Sequence, residues 1–309
     1  MFATSSRISS AESLSPALRR HVQTLAGEIG ERNVFRPAAL EAAADYITHE
    51  WQSQGHTVVP QRYTARGIEC ANLEICMPGA TDPDDILLVG AHYDTERGSP
   101  GADDNGSGVA ALLEIGRALR NARLASTVRC VAFVNEEAPF FFTGEMGSMV
   151  YAKAARAGGD RIRLMLSLEM LGYYRDQPGT QLYPPLLHHF HPDRGNFLAF
   201  VANLRSRRSL RGLVEGFRAA SDLPVESRAL PWWVPGVALS DQSSFWRQGY
   251  PGVMVTDTAY LRNPNYHTAR DTPDTLDYPR LAEAARGIAA ALLRLAGQGT
   301  SLYTARATS

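Results

Sequence analysis

Histidine and carboxylate side chains follow several apolar runs of this sequence, and these residue types bind metal ions and transfer protons. His92 and Asp94 come directly after ILLVGA, and Glu136 and Glu137 come directly after VRCVAFVN. Glu169 ends the run LMLSLE. Adjacent carboxylates at the end of a buried segment repel each other and lose hydration, so they require a cation or hydrogen-bond donors nearby.

Two further segments carry the same residue types. GADDNGSG contains Asp103 and Asp104, and Tyr266 and His267 lie a short loop beyond VMVTDT. Taken alone, GADDNGSG is also typical of a tight turn into a helix. Imidazole and carboxylate without thiolate favour Zn²⁺, with Mn²⁺ or Co²⁺ as possible substitutes, whereas Ca²⁺ and Mg²⁺ do not favour two imidazoles. These segments supply more candidate ligands than one catalytic zinc ion binds. Their number fits two ions that share one carboxylate.

The elements that must position these residues alternate between strand and helix. Apolar runs of buried-strand type are followed by the helical patterns GSGVAALLEIGRALRNA and GEMGSMVYAKAARAG, and a last helix is predicted after Asp277. This alternation predicts an α/β fold with a central mixed, mostly parallel sheet flanked by helices. Ligands bind beyond the carboxyl ends of such strands, so the histidines and carboxylates are expected to meet at one edge.

One domain is predicted over residues 16–297, with a flexible N-terminal tail over 1–15 and a C-terminal tail over 298–309. NFLAFVANLRSRRSLRGLVEGFRAA is predicted to form one or two helices. The N-terminus has no apolar stretch typical of a signal peptide, and no run of 18 uncharged apolar residues occurs. We therefore expect a cytoplasmic protein that does not bind a membrane.

Composition excludes several classes of function. The chain has 309 residues, 44% of them hydrophobic, which is enough to bury a core. Lys+Arg 31 against Asp+Glu 32 gives no electrostatic argument for a nucleic-acid partner. Lys153 is the only lysine, which disfavours P-loop and Schiff-base chemistry. The cysteines at positions 70, 76 and 130 form no CxxC pair, so neither a disulfide framework nor a thiolate zinc site is predicted.

Six motifs occur in a fixed order between roughly residues 35 and 297: GAHYDT, GADDNGSG, NEEAPFFFTGEMGS, SLEMLGYY, SDQSSFW and NYHTARDTPDTLDY. In order and spacing they resemble the di-zinc aminopeptidases, zinc exopeptidases related to glutamate carboxypeptidase and to the single-zinc glutaminyl cyclases. The resemblance implies an aminopeptidase-like α/β fold, two Zn²⁺ ions, and hydrolysis of a peptide or aminoacyl substrate by a metal-bridging hydroxide.

The same resemblance implies a ligand set for the two ions. His92 and Glu169 would bind one zinc ion, Glu137 and His267 would bind the other, and Asp104 would bridge both.

Three further residues receive catalytic roles by the resemblance. Glu136 would be the general base, Asp94 would orient the His92 ring, and Tyr266 would donate a hydrogen bond to the tetrahedral oxyanion. Asp103 falls where the family requires no ligand.

One position departs from the family pattern and leaves alternatives open. Glu169 stands where the aminopeptidases usually have Asp, and Glu at this place tends to accompany carboxypeptidase activity in related two-zinc peptidases. Carboxypeptidase-type specificity therefore remains an alternative. So do a glutaminyl cyclase-like acyltransferase with a single zinc and a non-catalytic binding module.

Three groups of side chains have structural as well as functional explanations. The histidines of LLHHFHPD, at 188, 189 and 191, are expected in a surface loop near the cleft rather than in a metal tract. The aromatic residues of PFFF and PWW are expected to pack in the core or to line an apolar pocket. RSRRSLRG is expected to be a solvated helix face or turn rather than a phosphate patch.

Overall fold

The computed structural model describes residues 11–183 and 192–297, and a mixed sheet of eight strands forms its centre. The strands are β1 Val59–Ala65, β2 Ile68–Met77, β3 Asp82–His92, β4 Ser126–Phe133, β5 Arg161–Glu169, β6 Leu198–Asn203, β7 Val225–Leu230 and β8 Gly252–Thr256. Across the sheet their order is β1-β2-β4-β3-β5-β8-β6-β7.

The four central strands run parallel to one another. β3 pairs in parallel with β4 and with β5, and β8 pairs in parallel with β5. Antiparallel pairing occurs nearer the edges, between β1 and β2, β2 and β4, and β6 and β8. The predicted mixed, mostly parallel sheet is therefore confirmed, and the carboxyl ends of the central strands lie at one edge.

Seven α-helices occur in the described part of the chain. They are α1 Ala11–Val22, α2 Pro37–Ser53, α3 Gly108–Leu119, α4 Gly147–Ala157, α5 Arg207–Arg218, α6 Gln242–Arg247 and α7 Tyr278–Gly297. At the start of α7, Asp277 Oδ1 accepts the backbone N–H of Arg280 at 3.1 Å, as predicted for a capping residue. None of the described helices is long and apolar enough to cross a membrane.

Helices cover both faces of the sheet, which explains why its central strands are continuous apolar runs. Leu87 and Val89 of β3 belong to the larger core, which includes residues of α1, α3, α5 and α7. Ile86 and Leu88 point the other way, into a smaller core with Tyr151 of α4 and Phe245 of α6.

The prediction for 196–220 is wrong in its first part. Leu198–Asn203 forms β6, paired with β7 and β8, and helix α5 begins only at Arg207. A short apolar run has the same pattern in a buried strand as in a buried helix, so periodicity could not separate the two. The Asn203 side chain accepts the N–H of Ser206 at 2.9 Å and so stabilises the turn between strand and helix.

The expectation of a flexible tail over 1–15 also needs correction. Helix α1 begins at Ala11, and Leu14 and Leu18 are buried in the larger core. Burial of these leucines stabilises a helix where the Ser- and Ala-rich composition favours a loose segment. Residues 1–10 and 298–309 lie outside the described residues.

Candidate metal centre

The predicted site residues meet at the carboxyl edge of the parallel strands. His92 ends β3 and pairs in register with Phe133, the last residue of β4, so Glu136 and Glu137 follow beside it. Glu169 ends β5 on the other side of β3. Parallel pairing therefore brings residues from three strands to one place.

His92 lies at the bottom of this cluster and is fully buried. Its Nε2 atom lies 3.4 Å from Asp104 Oδ1, 3.5 Å from Glu169 Oε2 and 3.9 Å from Glu136 Oε2. One oxygen of Glu169 also accepts a hydrogen bond from the Ser240 hydroxyl at 2.6 Å, which fixes the carboxylate toward His92.

His267 approaches Asp104 from the opposite side. Its Nε2 atom lies 3.1 Å from Asp104 Oδ2 and 3.4 Å from Glu137 Oε2. The two oxygens of Asp104 thus face two different imidazoles, one belonging to His92 and the other to His267. This is the arrangement that a carboxylate shared by two ions requires.

Asp94 links the ends of β3 and β4. Its two carboxylate oxygens accept the backbone N–H groups of Glu136 at 3.0 Å and of Glu137 at 3.1 Å. The His92 Nδ1 atom lies 3.2 Å from the backbone carbonyl oxygen of Asp94 and 3.6 Å from its carboxylate. The His92 ring therefore lies against Asp94, whose carboxylate also fixes the backbone of both neighbouring glutamates.

Two residues that sequence analysis did not single out hold the loop of Asp104. The Asp271 carboxylate accepts the backbone N–H groups of Asp103 at 2.9 Å and Asp104 at 3.0 Å. Asn105 donates to the carbonyl oxygen of Leu168 at 2.7 Å. The Asp104–Asn105 peptide bond is cis. These contacts fix the Asp104 carboxylate relative to the end of β5.

Asp103 points away from the cluster. Its carboxylate accepts the N–H of Gly172 at 2.9 Å and the side-chain amide of Asn263 at 2.8 Å. Burial, with the Asp257 carboxylate nearby, raises the pKa of Asp103 well above its ordinary value. Asp103 is thus bound to backbone and amide groups and does not face the histidines.

Arg32 lies next to the site, although it is far along the chain from the site motifs. For that reason the sequence did not point to it. Its guanidinium is fully buried, and burial lowers the pKa of Arg32 to about 10 despite nearby Asp94, Asp271 and Asp104. It donates hydrogen bonds to five carbonyl oxygens, those of Leu25, Gly30, Tyr93, Pro100 and Gly101. Within the described part of the chain, the hydrogen-bond acceptors of the Arg32 guanidinium are carbonyl oxygens and not carboxylates of the cluster.

The cluster contains more negative charge and more free lone pairs than its own contacts satisfy. Among the described residues, four buried atoms of the cluster have no hydrogen-bond partner: His92 Nε2, Asp104 Oδ1, Glu137 Oε1 and His267 Nε2. Buried polar atoms are normally satisfied, so convergent atoms of this kind indicate a bound group. Zinc binds imidazole nitrogen and carboxylate oxygen, which are the donor atoms of this cluster. The residues present therefore fit zinc.

The pKa values in the cluster show the same imbalance. Burial raises the pKa of Glu137 to about 8, and it raises the pKa of Glu136 well above that of an ordinary glutamate. Burial alone would lower the pKa of His267, but the carboxylates of Asp104 and Glu137 raise it to about 10. Imidazoles that retain protons beside these carboxylates reflect the negative charge concentrated in the cluster.

Tyr266 lies between the cluster and an apolar recess. Its ring stacks on the His267 ring, with centroids 3.7 Å apart. One cavity, of about 140 Å³, lies over the cluster of histidines and carboxylates, and the apolar recess is a second cavity of about 150 Å³ beside it. The two cavities share three lining residues, Glu169, Leu239 and Tyr266. Burial raises the pKa of the Tyr266 hydroxyl far above its ordinary value, so the group remains a hydrogen-bond donor.

The remaining predicted features are distributed differently. Phe140 is buried in the core and Phe141 lines the metal cavity, whereas Trp232 and Trp233 are 66% and 69% exposed and line neither cavity. The expectation for the two tryptophans is therefore wrong, because their loop turns them outward to solvent. Most of RSRRSLRG lies in α5, whose arginines are exposed, as expected. The histidines at 188, 189 and 191 lie outside the described residues.

Sequence comparison places this chain among peptidases. The profile of peptidase family M28 matches residues 72–292. The uncharacterized protein YfbL of Escherichia coli is 35% identical over 280 residues, covering 88% of this chain and 85% of that protein. A probable leucine aminopeptidase 1 of Trichophyton verrucosum is 26% identical over 279 residues, covering 82% of this chain and 67% of that protein.

Solved structures share the fold. BSAP, a zinc aminopeptidase from Bacillus subtilis, matches with a TM-score of 0.73 at 16% identity, covering 92% of this chain and 96% of that chain. The glutaminyl cyclase of Porphyromonas gingivalis matches with a TM-score of 0.68 at 20% identity, covering 93% and 99% of the two chains. At these identities the likeness concerns the fold.

Proposed function

This chain belongs to peptidase family M28, and from that premise we propose that it is a zinc-dependent aminopeptidase with a two-ion site. The metallopeptidase class follows from the family. One observation carries the two-ion proposal: the Asp104 carboxylate directs one oxygen to His92 and the other to His267.

Five residues would hold the ions. His92 and Glu169 would bind one, Glu137 and His267 would bind the other, and Asp104 would be shared. When bound, zinc supplies Lewis-acid polarisation of the scissile carbonyl and lowers the pKa of water.

Glu136 would act as the general base. Its carboxylate lines the same cavity as Glu137 and His267, and one of its oxygens lies 3.9 Å from His92 Nε2. It would accept a proton from the attacking water and deliver it to the leaving amine. Asp94 would keep Glu136 in place through the backbone N–H bond.

Tyr266 would stabilise the oxyanion. Its hydroxyl remains protonated, and its ring is fixed by stacking on His267 at the boundary of the two cavities. A donor held at the point where negative charge develops stabilises the transition state more than the substrate.

The apolar recess would receive the side chain of the substrate's terminal residue. Its walls include Phe197, Phe200, Val237 and Met254, and Glu169 lines both this recess and the cavity over the histidine and carboxylate cluster. An apolar terminal residue fits these walls. We therefore infer a preference for substrates that begin with an apolar residue, consistent with the leucine aminopeptidase name of the Trichophyton verrucosum relative.

Metal analysis combined with a substrate screen tests this proposal. We expect two zinc ions per chain, and hydrolysis of leucyl and phenylalanyl reporter amides that a chelator abolishes and added zinc restores. The same screen includes a peptide with N-terminal glutamine and substrates blocked at the amino terminus. Cyclisation of the glutaminyl peptide with one zinc per chain would favour an acyltransferase. Cleavage of blocked peptides from their carboxyl end would favour a carboxypeptidase.

A further inference from the structure

Glu96 is a carboxylate beside the histidine and carboxylate cluster, and it is neither one of the five proposed ligands nor one of the proposed catalytic residues. It follows β3 by four residues and lines the same cavity as Glu137 and His267. One oxygen of each glutamate and one ring nitrogen of His267 all lie within 4.8 Å of one another. Since zinc binds such atoms at about 2.0–2.2 Å, small side-chain movements can bring all three onto one ion.

The Glu96 carboxylate makes one local hydrogen bond, and its nearest cationic group among the described residues is the His267 imidazole. One of its oxygens accepts the backbone N–H of Arg97 at 2.9 Å, which holds the carboxylate on its own loop. No lysine or arginine of residues 11–183 or 192–297 forms an ion pair with it. Glu96 adds a third carboxylate to the Glu137 and Asp104 side of the cavity, and a divalent cation bound there would offset this negative charge.

Glu137 and His267, the two partners of Glu96 in this group, each carry a buried atom without a hydrogen-bond partner among the described residues. Glu137 is 5% exposed, and its Oε1 atom has no hydrogen-bond partner among the described residues; the same is true of His267 Nε2. Buried atoms of this kind are expected to bind something, and the ligand types suit a divalent metal ion.

The position of Glu96 favours binding of a metal ion over binding of the substrate's amino group. The apolar recess adjoins the metal cavity at Glu169, Leu239 and Tyr266, and Glu96 does not line it. An amino group next to a side chain in that recess would lie toward Glu169. Glu96 lies instead beside Glu137 and His267.

We propose that Glu96 is a further ligand of the ion held by Glu137 and His267, and that it strengthens this metal position selectively. The proposal rests on the two-ion site of the proposed function. Compared with an ion held by Asp104, Glu137 and His267 alone, this ion would gain a fourth protein ligand and an additional negative charge.

Zinc affinity measured by competition with a chromophoric chelator tests the proposal without an activity assay. The full chain would be titrated as wild type, Glu96→Gln, Glu96→Asp and the control Glu41→Gln, which alters an exposed glutamate of α2. We expect Glu96→Gln to weaken one of the two zinc positions about 10–100-fold and to leave the other unchanged. Glu96→Asp should give a smaller loss, and Glu41→Gln none.

Two outcomes would overturn the proposal in distinguishable ways. Two unchanged zinc constants in Glu96→Gln, with two ions in the wild type, would reject Glu96 as a ligand and leave the proposed function standing. A wild-type chain that binds no zinc would reject both. Equal thermal midpoints of the metal-free wild type and Glu96→Gln would show that the substitution does not act by unfolding.

Discussion

Asp94 binds the backbone of Glu136: one carboxylate oxygen of Asp94 accepts the Glu136 N–H at 3.0 Å. The other carboxylate oxygen of Asp94 accepts the N–H of Glu137. The His92 ring lies against Asp94, with its Nδ1 atom 3.2 Å from the Asp94 carbonyl oxygen. Asp94 therefore sets the distance between the proposed base and the histidine at the end of β3.

Glu136→Gln removes the proton acceptor and keeps the shape of the side chain. We expect kcat on a leucyl reporter amide to fall about 10²–10⁴-fold, the usual value of a general base. Zinc content should remain that of the wild type, because Glu136 is not one of the five proposed ligands. A loss of tenfold or less with zinc retained would remove Glu136 as the base. Glu41→Gln provides the control for a glutamate outside the site.

Asp104→Asn and Asp103→Asn distinguish neighbouring aspartates that sequence alone treats alike. Asp104→Asn should reduce the zinc content below two ions per chain, because one charged ligand shared by both ions is lost. Asp103→Asn should retain zinc but lower the free energy of unfolding by about 1–3 kcal/mol. An amide NH₂ at this position would face the N–H donor of Gly172 or that of Asn263.

Metal analysis of both variants and denaturant titration of the Asp103 variant check this pair of predictions. Loss of zinc in Asp103→Asn with normal zinc in Asp104→Asn would contradict the assignment.

Tyr266→Phe removes one hydroxyl and keeps the ring that stacks on His267. We expect kcat to fall about 10²–10³-fold, while KM changes little, because the hydrogen bond is made to the transition state. Steady-state kinetics on leucyl and phenylalanyl reporters measure both constants. A rise in KM at unchanged kcat would show instead that Tyr266 binds the substrate without stabilising the oxyanion.

Arg32→Met tests the buried guanidinium beneath the site. The substitution leaves buried carbonyl oxygens without donors, and each such group costs about 1–3 kcal/mol. We expect the free energy of unfolding of the metal-free protein to fall by at least about 3 kcal/mol in denaturant titrations. Arg36→Met is the control, because the Arg36 side chain is 66% exposed. An equal small effect in both variants would contradict a structural role for Arg32.

The sequence by itself determined the chemical character of the site. His92, Glu136, Glu137 and Glu169 end or follow apolar strand runs, and parallel strands place such ends at one edge. That local pattern, and the spacing of the motifs, was sufficient to predict an α/β fold and a cluster of imidazoles and carboxylates.

Only the tertiary structure decided how the cluster is held and which groups join it. Arg32, Asn105 and Asp271 act through hydrogen bonds to distant backbone groups, and no periodicity or motif records such partners. In the sequence Glu96 is an ordinary loop glutamate, and only the fold shows that it lies beside Glu137 and His267. Residue type and spacing show which atoms can bind an ion, but convergence is a property of the folded chain, because contacts distant in sequence set it.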